Sequence, residues 1–239
     1  MTPPDNIVFL VDVDDTLLSN DDVQGDLQRH IEREFGPECR DRFWEIQEQL
    51  FQELGYRDYL GAFQRFRIER PYEPNMMMAA SYLIDYPFAS RLYAGAMEVL
   101  KKLRGWGRTV ILTDGDVVFQ PRKVLRSGIY DAVEGQVLIY IHKEEALDDV
   151  QRRYPASHYV LVDDKLRILS AVKAVLGDRV TTVFPRQGKF ARDPKITAAY
   201  PDAADVTIEN IGDLLSFELA DFFTSADKHS IQECAEARE

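Results

Sequence analysis

Short runs of apolar residues recur along this chain at intervals that predict buried β-strands. The first run, residues 7–11 (IVFLV), is rich in β-branched side chains and is followed directly by acidic residues. A short apolar run of this kind is typical of a strand that is covered on both faces of a sheet. Four later runs predict further strands at residues 109–112, 136–141, 158–162 and 179–184.

Helical patterns separate these runs. Apolar residues recur at helical spacing between residues 92 and 103, from Val118 to Ser127, from 146 to 154 and from 166 to 175. Gly105, Gly128 and Gly177 follow three of these segments, and each is predicted to end its helix as a left-handed C-cap. Alternation of strand and helix at this spacing predicts an α/β fold, with a Rossmann-like parallel sheet and helices on both faces.

Residues 18–90 interrupt this alternation. Their apolar and aromatic positions follow helical spacing only, and they include no lysine, since the first lysine of the chain is Lys101. We interpret this segment as an inserted all-helical cap domain with enough aromatic residues for a small core of its own. The predicted organisation is a catalytic core at residues 1–17 and 91–222, the cap at 18–90, and a polar C-terminal tail at 223–239.

Composition narrows the classes of function. The 239 residues carry 29 basic and 41 acidic side chains, a net charge of −12, and 45% of them are hydrophobic. An acidic excess of this size argues against a surface for nucleic acid or for an anionic membrane. Cys39 and Cys234 cannot form a disulfide framework, and no apolar run is long enough to cross a bilayer. We therefore predict a cytoplasmic protein.

Two acids lie at the end of the first predicted strand. Asp12 and Asp14 are two residues apart, so on extended backbone they project to the same side. Two carboxylates held close together repel each other unless a cation lies between them or one keeps a proton. Taken alone, the segment is equally compatible with a turn that caps the next helix.

The ends of the other strands favour a reactive site. Successive carboxyl ends supply a hydroxyl, an ammonium group and more acids, carried by Thr113 and Asp114, by Lys143, and by Asp163 and Asp164. The carboxyl edge of an open parallel sheet is where ligands bind. Carboxylate oxygens suit Mg²⁺, whereas hydroxyl and ammonium donors suit a phosphoryl group. The pattern predicts a magnesium site beside an anion site.

These residues resemble the four ordered motifs of the haloacid dehalogenase (HAD) superfamily, in its phosphatase branch. The matching segments are residues 12–16 (DVDDT), Thr113, Lys143 and the Asp163-Asp164 pair. Asp15 departs from the pattern, because glycine is common at its position. The resemblance covers about residues 6–17 and 90–212.

The resemblance implies a two-step hydrolysis of a small phosphorylated metabolite. Asp12 would attack phosphorus and form an aspartyl-phosphate, and Asp14 would be the general acid and then the general base. Thr113, Asp114 and Lys143 would bind the phosphoryl oxygens.

The resemblance also implies Mg²⁺ as the cofactor. Its ligands would be the Asp12 carboxylate, the backbone carbonyl of Asp14 and one carboxylate of the later pair. Asp164 is favoured as the direct ligand, and Asp163 would orient Lys143 or a metal-bound water.

Several alternatives remain beside this reading. A phosphomutase would keep the same acids and differ only in the acceptor, and a catalytically silent binding module would keep the fold. Asp14 argues against a dehalogenase, which needs no acid at that position. The absence of lysine from residues 18–90 argues against a phosphonate-cleaving enzyme that forms a Schiff base. A receiver domain is disfavoured because both later acids follow Lys143.

Overall fold

The computed structural model describes residues 6–72 and 75–223, without the side chains of Met76 and Met77. Its centre is a six-stranded parallel sheet in the order β3-β2-β1-β4-β5-β6. The strands are β1 (Ile7–Val11), β2 (Arg108–Asp114), β3 (Val137–Tyr140), β4 (His158–Val162), β5 (Val180–Pro185) and β6 (Val206–Ile208). The predicted polar tail lies outside the described residues from position 224 onward.

The strand order brings the motif-bearing ends together. β1 pairs with β2 on one side and with β4 on the other, so Val11 lies opposite both Ile111 and Val162. The strand order reverses between β1 and β4, which is the position where open α/β sheets form a ligand crevice. The residues that follow these three strands therefore share one edge.

The sequence predicted five of the six strands, each within two residues at its ends. It missed β6, which has only three residues and alternates in burial, with Thr207 exposed between its neighbours. Such a short edge strand has too few apolar positions to give a recognisable pattern. Its place in the sheet is set by pairing with Val183 to Pro185.

Helices cover both faces of the sheet, as predicted. Outside the inserted segment they are α5 (Ala96–Trp106), α6 (Phe119–Arg126), α7 (Ile129–Ala132), α8 (Leu147–Arg153), α9 (Leu166–Leu176), α10 (Gly188–Ala191) and α11 (Pro194–Ala199). The C-cap predicted at Gly105 is wrong, because α5 continues through it to Trp106. Gly107 ends the helix in extended backbone, where a Cβ would lie 2.6 Å from the Ile7 carbonyl oxygen. Gly128 is in the left-handed conformation, as predicted, whereas Gly177 has a φ of 55° and a ψ of −132°, which is outside the left-handed helical region.

Alternate residues of β1 face two separate hydrophobic clusters. Phe9 and Val11 belong to the cluster on the α5 and α6 side, whereas Val8 and Leu10 belong to the cluster beneath α8 and α9. All four side chains are essentially inaccessible to solvent. This double coverage explains why the strand is continuously apolar. No helix among the described residues is long and apolar enough to cross a membrane.

We call residues 18–90 the helical insert. It contains α1 (Asn20–Phe35), α2 (Pro37–Leu54), α3 (Tyr59–Glu69) and α4 (Met76–Ile84), and no strand among its described residues. Its buried side chains do not form the independent core that we expected. Phe43 and Phe63, for example, belong to the same cluster as Phe9 of the sheet, so the insert is packed continuously onto one face.

The two connections to the helical insert run side by side. The Ser19 amide donates to the Arg91 carbonyl at 2.8 Å, and the Tyr93 amide donates to the Leu17 carbonyl at 2.9 Å. Nearby, the Asp26 carboxylate of α1 lies 2.5 Å from the Arg91 guanidinium and also accepts a hydrogen bond from the Tyr86 hydroxyl. These contacts tie the start of the insert to its end.

Candidate active site

Lys143 lies between two carboxylates at the carboxyl edge of the sheet. Its Nζ is 2.7 Å from Asp12 Oδ1 and 2.5 Å from Asp163 Oδ2, and it donates to the Leu112 carbonyl at 3.3 Å. All three charged side chains are almost completely buried. The lysine thus joins the end of β1 to the end of β4 through charge rather than through the sheet.

Burial and charge act in opposite directions on these groups. Burial would raise the pKa of Asp12, but Lys143, and then Lys165, outweigh it and lower that pKa. Burial would likewise lower the pKa of Lys143, but the carboxylates of Asp12 and Asp163 raise it. Both shifts favour the charged form of the side chain, which is the form that a carboxylate nucleophile and an anion-binding cation need.

A group of three buried acids lies beside this lysine. Ligand oxygens of Asp12, Asp163 and Asp164 lie within 4.8 Å of one another. Among the described residues, Asp12 Oδ2 and Asp164 Oδ1 are buried and accept no hydrogen bond. Burial and the neighbouring acids raise the pKa of Asp164 well above its ordinary value, although Lys165 opposes them.

This donor set fits a divalent cation. Two inaccessible oxygens without a partner are costly to bury, and a hard cation such as Mg²⁺ would satisfy both. Asp163 is already engaged, because its Oδ1 accepts from the Lys165 amide and its Oδ2 contacts Lys143. Asp12 and Asp164 are thus the carboxylates best placed to hold a metal. The carboxylate of Asp14 is outside the group, which leaves only its backbone carbonyl as a candidate ligand.

Asp14 faces a different set of partners. Lys123 Nζ lies 2.5 Å from Asp14 Oδ1 and donates to Asn20 Oδ1 at 3.2 Å, and Gln120 Nε2 donates to Asp14 Oδ2 at 3.3 Å. The side chain of Lys123 is 2% exposed, whereas that of Asp14 is 20% exposed. Asp14 is therefore held in place by α6 while it keeps access to the cavity.

Thr113 and Asp114, at the end of β2, are also next to this network. Gln120 Nε2 donates to Thr113 Oγ1 at 2.9 Å. Asp114 Oδ1 accepts from the backbone amide of Lys143 at 2.7 Å, which fixes the start of the lysine loop. Since that carboxylate would repel a phosphoryl group, the phosphate contact predicted for Asp114 depends on its backbone N–H.

Asp15 occupies its unusual position for a structural reason. Its φ is +56°, in the left-handed region that favours glycine and that Asp tolerates better than most residues. The Asp15 carboxylate accepts hydrogen bonds from the amides of Asn20 and Asp21 at the start of α1. Burial, together with Asp21 and Asp14, raises the pKa of Asp15 to about 7. Asp15 thus connects the loop that follows β1 to the first turn of the helical insert.

A cavity of about 680 Å³ opens from this edge between the sheet and the helical insert. Asp14, Asp164 and Lys123 line its inner end, together with Gln120 and Lys165. A molecule bound in the cavity would therefore meet these side chains directly, whereas Asp12, Thr113 and Lys143 are buried and do not line it. His142, at the end of β3, also lines the cavity.

Sequence reasoning identified Asp12, Asp14, Thr113, Lys143 and the Asp163-Asp164 pair, and the structure brings all of them to one region. It missed residues of α6, namely Gln120 and Lys123. The sequence does indicate them, because helical spacing places these two polar side chains on the same face of α6 as Phe119 and Val124, and that face is buried. Lys165 was also missed, although it directly follows the last acidic pair.

Solved structures of other proteins resemble this chain. A haloacid dehalogenase-like hydrolase from Burkholderia xenovorans LB400 is 60% identical; the match covers 90% of this chain and all of that one, with a TM-score of 0.85. No protein-family model and no curated protein matches the chain.

Two more distant structures share the fold. The HAD-hydrolase YfnB from Bacillus subtilis, solved bound to magnesium, is 16% identical over 87% of this chain and 96% of its own, with a TM-score of 0.58. An L-2-haloacid dehalogenase from Xanthobacter autotrophicus, with chloropropionic acid covalently bound, is 17% identical over the same shares, with a TM-score of 0.56. Together with the identity and coverage of the Burkholderia protein, the sheet order and the site geometry show that this chain belongs to the haloacid dehalogenase-like hydrolases.

Proposed function

We propose that this protein hydrolyses a phosphate monoester in a Mg²⁺-dependent reaction, through an aspartyl-phosphate on Asp12. The observation that carries the proposal is the pair of buried, unpartnered oxygens on Asp12 and Asp164, within a group of three acids. Such a pair calls for a divalent cation, and a metal-assisted phosphatase uses one.

The metal has a defined supporting role. Asp12 and Asp164 would hold it, with the backbone carbonyl of Asp14 as a further ligand, while Asp163 orients Lys143. When bound, Mg²⁺ supplies positive charge that lowers the repulsion between the Asp12 carboxylate and the incoming phosphoryl group.

The first chemical step forms one bond and breaks one. An Asp12 carboxylate oxygen attacks phosphorus, the bond from phosphorus to the ester oxygen breaks, and Asp14 in its protonated form gives its proton to the departing alkoxide. Lys143 and the Thr113 hydroxyl bind the phosphoryl oxygens as their charge grows. The hydrogen bond from Gln120 to Asp14 supports this step, because it fixes the carboxyl group at the cavity wall.

The second step regenerates the carboxylate. Asp14, now ionised, removes a proton from water, the water oxygen attacks phosphorus, and the bond to Asp12 breaks to release inorganic phosphate. Lys123, whose ammonium group lies beside Asp14, is a positioning residue for the ionised carboxylate in this step, and Asn20 extends that contact to the first turn of the helical insert.

A haloacid dehalogenase is the second candidate, because an L-2-haloacid dehalogenase with chloropropionic acid covalently bound shares the fold. That chemistry would also use Asp12 as nucleophile, but it needs neither a cation nor an acid at Asp14. The phosphomutase alternative also remains, since it differs only in whether water or a second substrate accepts the phosphoryl group.

The deciding experiment compares two products. Inorganic phosphate released from a panel of phosphate monoesters is measured with Mg²⁺ and with EDTA, and chloride released from 2-chloropropionate is measured in parallel. We expect phosphate release only with Mg²⁺ and no chloride. Chloride release that is insensitive to EDTA, without phosphate release, would overturn the proposal in favour of the dehalogenase.

A further inference from the structure

The cavity beyond the acids is much larger than a phosphoryl group requires. Its volume of about 680 Å³ falls in the range of roughly 300–1,000 Å³ that is typical of pockets for drug-sized molecules. Asp14 and Asp164 are among its lining residues, whereas Asp12 and Lys143 are buried and do not line it, so most of its space is available to the leaving group. A two- or three-carbon alcohol would leave most of that space filled with water.

Aromatic side chains line this outer part from both sides. Phe51 and Tyr56 come from the helical insert, whereas Phe190 and Tyr200 come from the core beyond β5. Phe51 and Phe190 are 38% and 45% exposed, so a large part of each ring is uncovered. Exposed rings that the helical insert and the core each contribute to one cavity offer flat apolar surfaces to a flat ligand.

A cation lies near each of these two rings. The Arg57 guanidinium lies 5.2 Å from the centre of the Phe51 ring, and Lys189 Nζ lies 5.3 Å from the centre of the Phe190 ring. Each cation is attracted to the face of its ring, which modestly stabilises the ring's position at an exposed site.

The guanidinium groups in the outer cavity already have acidic partners. Arg57 lies 3.6 Å from Glu48, and Arg167 forms an ion pair with Glu144. Six acidic side chains and four basic ones line the whole cavity. This excess of acids disfavours a leaving group with an anionic substituent of its own.

We propose that the substrate is a phosphate monoester of an uncharged alcohol that carries a bulky, flat aromatic ring, and that Phe51 and Phe190 are its specificity-determining residues. This inference rests on the proposed phosphatase function and names the class of its substrate. The phosphoryl group lies at Asp12 and Lys143, and the ring lies between the walls supplied by the helical insert and by the core.

The test compares two esters of primary alcohols, 2-naphthylmethyl phosphate and ethyl phosphate, because their leaving oxygens are similar in basicity. With the full-length protein and Mg²⁺, we expect kcat/KM to be about 30- to 100-fold higher for the naphthylmethyl ester, from the apolar area that the ring buries. Equal values, or a preference for ethyl phosphate, would overturn the inference while leaving the phosphatase function intact. If neither ester nor any other monoester releases phosphate, the proposed function itself fails.

Two variants locate the selectivity. Phe51→Ala and Phe190→Ala are each expected to lower kcat/KM for the naphthylmethyl ester about 5- to 10-fold, and to lower it much less for ethyl phosphate. The matched control is Tyr72→Ala, which removes an aromatic side chain of the helical insert that is 95% exposed and outside the cavity lining; both rates should be unchanged. An equal loss for the two esters in either variant would assign a purely structural role to that ring and overturn its role in specificity.

Discussion

Lys143 provides the sharpest test of how the site is held together. Its ammonium group is fully buried and contacts Asp12 at 2.7 Å and Asp163 at 2.5 Å. Lys143→Met keeps the length and most of the volume of the side chain but removes the charge, and leaves two buried carboxylates without their cation. Removing one partner of a buried ion pair costs about 3–5 kcal/mol.

For a chain of this size, that loss lowers the Tm by about 6–20 °C. Urea and thermal unfolding are measured in EDTA, because a bound divalent cation would replace part of the missing charge. Lys101→Met, at an exposed position on α5, is the matched control and should change the free energy of unfolding by less than about 0.5 kcal/mol.

A double-mutant cycle tests the cause of the loss. If electrostatic repulsion is responsible, Lys143→Met combined with Asp163→Asn costs clearly less than the sum of the two single variants, since one of the unpaired charges is gone. A loss below about 1 kcal/mol for Lys143→Met in EDTA, or strict additivity in the cycle, would refute this account of the site.

Three further predictions concern other contacts. Lys123→Met should lower kcat about 10- to 100-fold while KM changes less than threefold, because Asp14 loses the group that positions it; an unchanged kcat would contradict that role. Burial would raise the pKa of Asp26, but hydrogen bonds from Tyr86 and two arginines outweigh it and lower that pKa. The ionised Asp26 carboxylate therefore stabilises the folded protein above the unfolded-state pKa of about 4, and this stabilisation is lost as the pH falls through the folded-state pKa. Asp26→Asn should therefore cost about 2 kcal/mol in urea unfolding at pH 7 and much less at pH 3, whereas equal costs at both would exclude the linkage. Mg²⁺ at 100 times its Kd should stabilise the protein by about 2.7 kcal/mol, read as a rise in Tm, and Asp164→Ala should abolish the rise; a rise retained in that variant would place the metal elsewhere.

The sequence was most informative where one physical requirement acts alone. A strand that is covered on both faces, such as β1, needs an apolar side chain at every position, and that pattern is visible in five consecutive letters. The candidate site residues could be predicted equally well, because parallel strands bring their carboxyl ends to one edge of the sheet. Thr113 lies near the carboxyl end of β2, and Asp12, Lys143 and Asp163 lie just beyond the ends of their strands.

Other features depend on contacts between distant segments and could not be seen locally. Gly107, rather than Gly105, ends α5 because its backbone passes close to the carbonyl of Ile7, a contact across about a hundred residues. The helical insert appeared to have its own core, since its aromatic content is high, but Phe43 and Phe63 share one cluster with the sheet.

The contact between Lys123 and Asp14 also joins distant segments of the chain. Lys123 is a charged residue on the buried face of α6, beside Phe119 and Val124, and periodicity analysis can detect such an anomaly. Periodicity does not reveal that the acid it neutralises lies 109 residues earlier. Only the packing of α6 against the β1 loop and the start of the helical insert joins the two charges.

The covalent role of Asp12 is tested most directly by trapping the intermediate. The protein is mixed with a ³²P-labelled monoester and Mg²⁺, quenched in acid within milliseconds, and digested for mass spectrometry. We predict a phosphoryl group on Asp12 that accumulates and decays at rates consistent with turnover, and no label in Asp12→Asn. Full turnover without label on Asp12, or with Asp12 replaced by Asn, would contradict the mechanism.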